Sequence, residues 1–324
     1  MDIALLIDST TVIPKALIEE HGVTVIHVPV YAEGKEYRDG VDITPEEFHS
    51  ILETSTSRER PSTAVPGLGE FLSFYNGLLE RHSKIVYPTP SSRLTGVFNA
   101  AVQSARQVEG AQVVAIDPPG EEFFFEEGLY AVHSSDPQLE DRLAEIGRLT
   151  GPVIVVMNTD FASGAAGLIA SEASKAIHEG RSIDEVVRKM IDAKRKTGIY
   201  LILNTFEYIV DRVGELQAFL ATLLQIKPIL TLREGYLEDV AKVRGERKAR
   251  RRMIELVRER VGDKRVDVYV LHSLVRERAE NFLEQIKGEL NVGNSYVDDI
   301  GSSVARYIGR GGLAIAYISR EEGE

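Results

Sequence analysis

Residues 84–101, KIVYPTPSSRLTGVFNAA, constrain the fold more than any other stretch of the chain. Ile85, Val86 and Tyr87 read as a buried strand. The chain then turns through Pro88-Thr89-Pro90 into Ser91-Ser92-Arg93-Leu94-Thr95-Gly96. Beyond the turn, Val97, Phe98, Ala101 and Ala105 recur at helical spacing. The first N–H groups of a helix have no partner within it, serine is a favoured cap there, and the helix dipole favours negative charge. A strand, a hydroxyl-rich turn and a helix can therefore hold an anion. The same residues also suit an ordinary cap, and the turn alone does not choose.

The opening of the chain has the same grammar. Residues 3–7 read as a strand ending in Asp8-Ser9-Thr10-Thr11, a helix follows over 14–21 and closes at Gly22, and residues 23–31 read as a second strand. Strand, polar loop, helix and strand predict a parallel α/β sheet, whose ligands sit at the C-terminal ends of the strands. Asp8 lies at such an end, as a cap, a turn anchor or a base. Thr44 before Pro45, with Glu47 three residues on, is a helix start. Asp39 and Asp42 in the loop before it are poor evidence for a cation site. Pro61 and Pro66 stiffen the backbone around Ser62 and Thr63, which suit either a ligand clamp or a lead-in to the next helix.

Residues 111–117 and 152–158 are similar apolar strands, and the segment at 118–157 reads as an insertion carrying a strand and a helix. The small residues at 162–167 imply a close backbone approach. Residues 199–203 form a strand entering a second domain, so the expected domains are 1–197 and 198–324. That second half shows an apolar helix at 218–224, a hairpin turning at Glu234-Gly235, and an arginine-rich helix around 250–252 that reads as a solvated face. It ends in a glycine-rich run at 309–312 before an apolar strand.

Composition removes several classes of function. With no cysteine in 324 residues there is no disulfide, zinc–thiolate site or cysteine nucleophile, and a cytoplasmic location is expected. The first seven residues read as a strand and not a signal peptide, and no run reaches membrane-spanning length, so stable membrane insertion is not expected. A net charge of −12 opposes nucleic-acid binding. Nucleotide-loop, GxGxxG, HExxH and GxSxG patterns are missing at the positions that would give them meaning. No nucleophile–base pair, metal set or cofactor motif stands out, and binding of an anion is favoured over its transformation.

Several stretches together resemble the bacterial DegV family. These are Asp8-Ser9-Thr10, GKEYRDGVDITPEEF at 34–48, the Pro-x-Thr-x-x-Pro at 61–66 and SSRLTG at 91–96, followed by KPIL at 227–230 and KVRG at 242–245. The resemblance covers nearly the whole chain, and the 34–48 block is its most specific part. It implies a two-domain α/β fold: an N-terminal parallel-sheet domain and a C-terminal domain with a mixed or antiparallel sheet. It also implies one long-chain fatty acid bound between the domains as the only small-molecule partner, with no cofactor. Presentation of that acid to a separate fatty acid kinase belongs to the same expectation.

Carried over residue by residue, the resemblance places the carboxylate at Thr63 and Ser92, flanked by Ser91, Arg93 and Thr95, and gives Arg212 a part in phosphorylation of the bound acid. The sequence departs from the family pattern at Ala64, Val65 and Val97, and Tyr307 stands where a carboxylate-contacting histidine is expected, near Arg306 and Arg310. Tyrosine retains a hydrogen bond there but not a cation. Two other readings stay open: an enzyme acting on a small anionic substrate with Asp8 as base, and a lipid-sensing regulatory module.

Overall fold

The structure is a computed structural model that describes residues 2–56, 59–120, 123, 128–204 and 226–321. In chain order the first elements are β1 (Ile3–Asp8), α1 (Lys15–His21), β2 (Thr24–Ile26), β3 (Pro29–Ala32), β4 (Lys35–Arg38), α2 (Pro45–Thr54) and β5 (Ser62–Thr63). There follow α3 (Leu68–Leu79), β6 (Lys84–Thr89), α4 (Val97–Ala105), β7 (Gln112–Ile116), β8 (Leu129–Val132) and α5 (Leu139–Gly147). Next are β9 (Val153–Asn158), α6 (Ser163–His178), α7 (Ile183–Lys196), β10 (Thr197–Ile202), β11 (Ile226–Arg233) and β12 (Tyr236–Arg244). The last are α8 (Glu246–Val261), β13 (Val266–His272), α9 (Arg276–Glu289), β14 (Val292–Asp299), α10 (Ser302–Ile308) and β15 (Leu313–Ser319).

The chain forms two compact units: residues 1–28 with 64–195, and residues 29–63 with 196–324. Sequence reading expects a single boundary at 197. The chain instead leaves the first unit for residues 29–63 and returns. The expected strand over 23–31 is divided by this crossing. β2 pairs parallel with β1, whereas β3 pairs antiparallel with β4 and β5 in a separate sheet. Pro29 stands at the division, and with no N–H it cannot continue β2's ladder.

The first unit is built on a six-stranded sheet, ordered β2-β1-β6-β9-β7-β8, and every pairing in it is parallel. Alternate residues point to one face, so Ala4, Leu6, Ile85, Tyr87, Ile154 and Val156 share a core with Phe71 and Tyr75 of α3 and Phe98 and Ala101 of α4. Helix α6 lies against β1 and β6. Its small residues permit close approach: a Cβ on Gly167 would overlap the Val12 carbonyl. The segment expected as an insertion, 118–157, spans inner and outer strands of this sheet. β9 lies between β6 and β7, so residues 153–157 are interior, and the outboard elements are β7, β8 and α5. Without those three elements, β2-β1-β6-β9 would remain contiguous.

The second unit has a mixed six-stranded sheet, ordered β12-β11-β10-β15-β13-β14, in which only β13 and β14 pair in parallel. Ala249, Met253 and Val257 of α8 and Phe282 and Ile286 of α9 pack with Val268, Val270 and Ile315 of the sheet. The arginine run on α8 is a solvated, ion-paired face: Arg251 meets Glu255, and Arg252 meets Glu255 and Glu259. The start of α2 is as expected, a capping box in which the Glu47 N–H donates to Thr44 Oγ1 at 3.2 Å and the Thr44 N–H to Glu47 Oε2 at 2.9 Å. The three-stranded sheet, ordered β4-β3-β5, belongs to this unit. Among the described residues no helix is long and apolar enough to cross a membrane.

Candidate functional site

In the first unit, β6 delivers the chain to the C-terminal edge of the parallel sheet, as its buried residues 85–89 require. The turn that follows is wound on Ser91. The Ser91 carbonyl accepts from the N–H groups of Leu94 at 3.0 Å and Thr95 at 3.1 Å, and its Oγ accepts from the Arg93 N–H at 3.2 Å. The Ser91 N–H is itself bound to the Phe161 carbonyl at 2.7 Å, and the residue is fully buried. Ser91 thus holds the turn together. No serine caps α4, contrary to the simplest sequence reading. The cap residue is Gly96, with no side-chain hydrogen bond, because the Ser91 turn places the hydroxyls ahead of the helix start.

Ser92 is differently disposed. Its N–H donates to Asn158 Oδ1 at 3.1 Å. Its Oγ is buried and has no hydrogen-bond partner among the described residues. A buried hydroxyl left unpaired costs roughly 1–3 kcal/mol, which makes this atom a candidate ligand contact. Thr95 is partly buried, and its N–H belongs to the Ser91 turn.

Behind Ser92 lies a polar cluster that sequence reading does not find. Asn158, at the end of β9, donates through Nδ2 to the Asp117 carbonyl and to Asp160 Oδ1, both at 3.0 Å. Lys194 of α7 places Nζ 2.7 Å from Asp117 Oδ2 and 2.6 Å from Asp160 Oδ2, and donates to the Asn158 carbonyl at 3.0 Å. Asp117 and Asp160 both have positive φ, near 52° and 60°. The one available sequence signal was Asn158-Thr159-Asp160 immediately after an apolar strand. Nothing local marks Lys194.

Asp8 does not suit the role of base. It is fully buried, and it accepts from the Thr10 N–H at 2.9 Å, the Thr10 hydroxyl and the Tyr87 hydroxyl at 2.8 Å. Burial, and then the Asp8 charge, push the Tyr87 hydroxyl well above the ordinary tyrosine range. This Asp–Tyr pair anchors the loop after β1. The next part of that loop is tied to α6: the Ser163 N–H donates to the Thr10 carbonyl at 3.0 Å, and the Val12 N–H to the Ser163 carbonyl at 3.3 Å.

The other expected site residues fall in the second unit. Thr63 lies on β5 opposite Val30 and is partly buried. Tyr307 lies on α10, also partly buried. The structure brings their two segments together: Arg306 Nε donates to the Pro61 carbonyl at 2.6 Å, and α10 lies against β5. The Arg306 guanidinium carbon is 4.8 Å from the Tyr307 ring centre. Arg310 pairs with Glu53 at 2.7 Å. Both arginines offered by the sequence as substitutes for a histidine therefore already have partners. Arg212 and the apolar run at 218–224 lie outside the described residues.

The 34–48 block is explained by α10. Asp39 is buried and accepts from the Ser302 and Ser303 N–H groups at 3.1 and 3.3 Å and from Ser303 Oγ at 2.6 Å. It is an internal anion on a helix N-terminus. Asp42 instead grips Arg38 with both oxygens at 2.8 Å, so the two acids do not converge on a cation. His49 of α2, fully buried, shares a 2.7 Å hydrogen bond between Nε2 and Ser273 Oγ. Burial, helped by the charge of Arg310, lowers its pKa below the ordinary histidine value.

With this geometry in hand, the chain can be compared with known proteins. A family model described as "Uncharacterised protein, DegV family" matches residues 2–320. A DegV domain-containing protein of Clostridium acetobutylicum is 25% identical over 322 residues, covering 98% of this chain and 99% of its own. A solved Thermus thermophilus structure, described as fatty acid binding of a DegV family protein, is 26% identical with a TM-score of 0.78, covering 99% of this chain and 100% of its own. A Thermotoga maritima DegV lipid-binding protein has the same fold, at 24% identity and a TM-score of 0.77 over 99% of both chains. By the extent of the family match, this chain belongs to the DegV family.

Proposed function

We propose that this chain binds one long-chain fatty acid, with hydrogen bonds to its carboxylate from the Ser92 and Thr63 hydroxyls and with Thr95 and Tyr307 flanking them. The observation that carries this reading is the Ser92 hydroxyl, buried at the C-terminal edge of a parallel sheet without a partner among the described residues. The likeness to the Thermus thermophilus fatty-acid-binding protein supplies the ligand class. Ser91 supports the turn from behind, since its own Oγ receives the Arg93 N–H.

The physical chemistry is consistent. A buried carboxylate costs several kcal/mol unless it is well hydrogen-bonded, and hydroxyl donors lower that cost. Each buried CH₂ of the tail contributes roughly 0.8 kcal/mol, so a long chain supplies most of the affinity. Delivery of the acid to a separate fatty acid kinase, with Arg212 taking part, is the further step that the family resemblance suggests.

Extraction of purified protein and mass spectrometry of the extract test the ligand class. The expected result is a long-chain fatty acid in near-stoichiometric amount, and delipidated protein that regains it on addition. Protein that carries no acyl chain and takes none up would overturn the reading.

A further inference from the structure

The Ser92 turn rests on a largely buried group of charges, in which the Asp160 side chain is 25% exposed. The Lys194 ammonium faces two carboxylates, Asp117 at 2.7 Å and Asp160 at 2.6 Å. The lysine side chain is 13% exposed and that of Asp117 only 4%. Among the described residues, Asp117 Oδ1 also meets the Ser134 N–H at 2.7 Å and, at 3.6 Å, the half-exposed ring of His133. Among the described residues, this group sets one ammonium against two carboxylates.

Asn158 links this group to Ser92. Its Nδ2 is committed to the Asp117 carbonyl and Asp160 Oδ1, which turns Oδ1 towards the Ser92 N–H. Lys194 holds the Asn158 backbone carbonyl from the other side. An amide fixed at both ends has one orientation, and so has the serine that depends on it. Removal of the ammonium would leave two carboxylates uncompensated, two hydrogen-bonded steps from the Ser92 hydroxyl. In a largely buried setting such charges repel an incoming anion strongly and a neutral head group hardly at all.

Building on the fatty-acid reading above, we propose that Lys194 is a positioning residue that makes the Ser92 site selective for a carboxylate. It orients Asn158, and it masks Asp117 and Asp160 from the ligand's charge. Asp117, the residue that follows the outboard strand β7, thereby takes part in head-group recognition without being expected to touch the ligand.

The test compares hexadecanoic acid with hexadecanol, which share a tail and differ in charge. Both are titrated into delipidated wild-type protein, Lys194→Met and Asp160→Asn under one buffer condition. The ratio of acid to alcohol affinity is expected to fall about tenfold in Lys194→Met and to rise in Asp160→Asn, as expected for a charge acting at short range. A purely structural lysine would weaken both ligands together and leave the ratio as in the wild type. An unchanged ratio in both variants overturns the proposal, and if Lys194→Met does not fold, an unchanged ratio in Asp160→Asn does so alone. Wild-type protein that binds neither ligand would overturn the fatty-acid reading itself, which is a different outcome.

Discussion

Ser92 uses its two polar ends for different purposes. The N–H is held by Asn158, and the hydroxyl is buried without a partner among the described residues. Its neighbour Ser91 is fully engaged in shaping the turn. The sequence marks both serines as one hydroxyl-rich motif, but only the fold separates support from candidate contact. Asn158 and Lys194 were not legible because they act over distance: Ser92 and Asn158 are 66 positions apart, and Lys194 and Asp117 are 77 apart. A second buried residue makes a prediction at this scale. His49 has a lowered pKa in the folded chain, caused first by burial and then by Arg310. The unfolded chain, with a histidine pKa near 6.5, therefore takes up a proton before the folded one does. Stability is fully present above about pH 6.5 and declines as pH falls from there towards the lower folded pKa. Denaturant unfolding of His49→Gln is expected to lose part of the wild type's decline between about pH 7.5 and pH 5.5. The same decline in both proteins would assign it to other groups.

Element boundaries were often readable from local signals, and the errors have local causes. The capping box at Thr44 and the left-handed Gly22 that ends α1 lie where the sequence places them. The hairpin of β11 and β12 turns at Glu234-Gly235, both with positive φ. The short helix α10 was less obvious. It has seven residues, begins after Gly301 without a side-chain cap, and carries no acid in its first turn. Its anion comes from Asp39, more than 260 positions earlier in the chain. This accounts for the specificity of the 34–48 block, which the sequence offers as a motif without a physical role. Replacement of Asp39 with alanine would leave two helix N–H groups and the Ser303 hydroxyl without their acceptor. A loss of about 3 kcal/mol of unfolding free energy is expected in denaturant titration. A change below about 0.5 kcal/mol would mean that solvent replaces the carboxylate without cost.

At the scale of the molecule, the fold class was legible and the path of the chain was not. Strand–loop–helix repetition predicts a parallel sheet in the first half, and the mixed or antiparallel sheet of the second was implied by the family resemblance; the two sheets are of those kinds. The excursion of residues 29–63 into the second unit leaves almost no trace in hydrophobic pattern, because residues 23–31 read as one apolar strand; Pro29 is the only local mark. The strand order was equally hidden. Two similar apolar strands, at 112–116 and 153–158, are indistinguishable by pattern, and only pairing shows that β9 is the inner one. The net charge of −12 does not favour an anionic ligand at long range, so recognition has to rest on local hydroxyls and on the tail. The most direct test is calorimetric titration of delipidated protein with hexadecanoic acid, wild type beside Ser92→Ala. One acid per chain is expected, bound about 1–3 kcal/mol more weakly by the variant, whose folding stability should equal or exceed that of the wild type. Equal affinity in the two proteins would contradict the assignment of the carboxylate to Ser92.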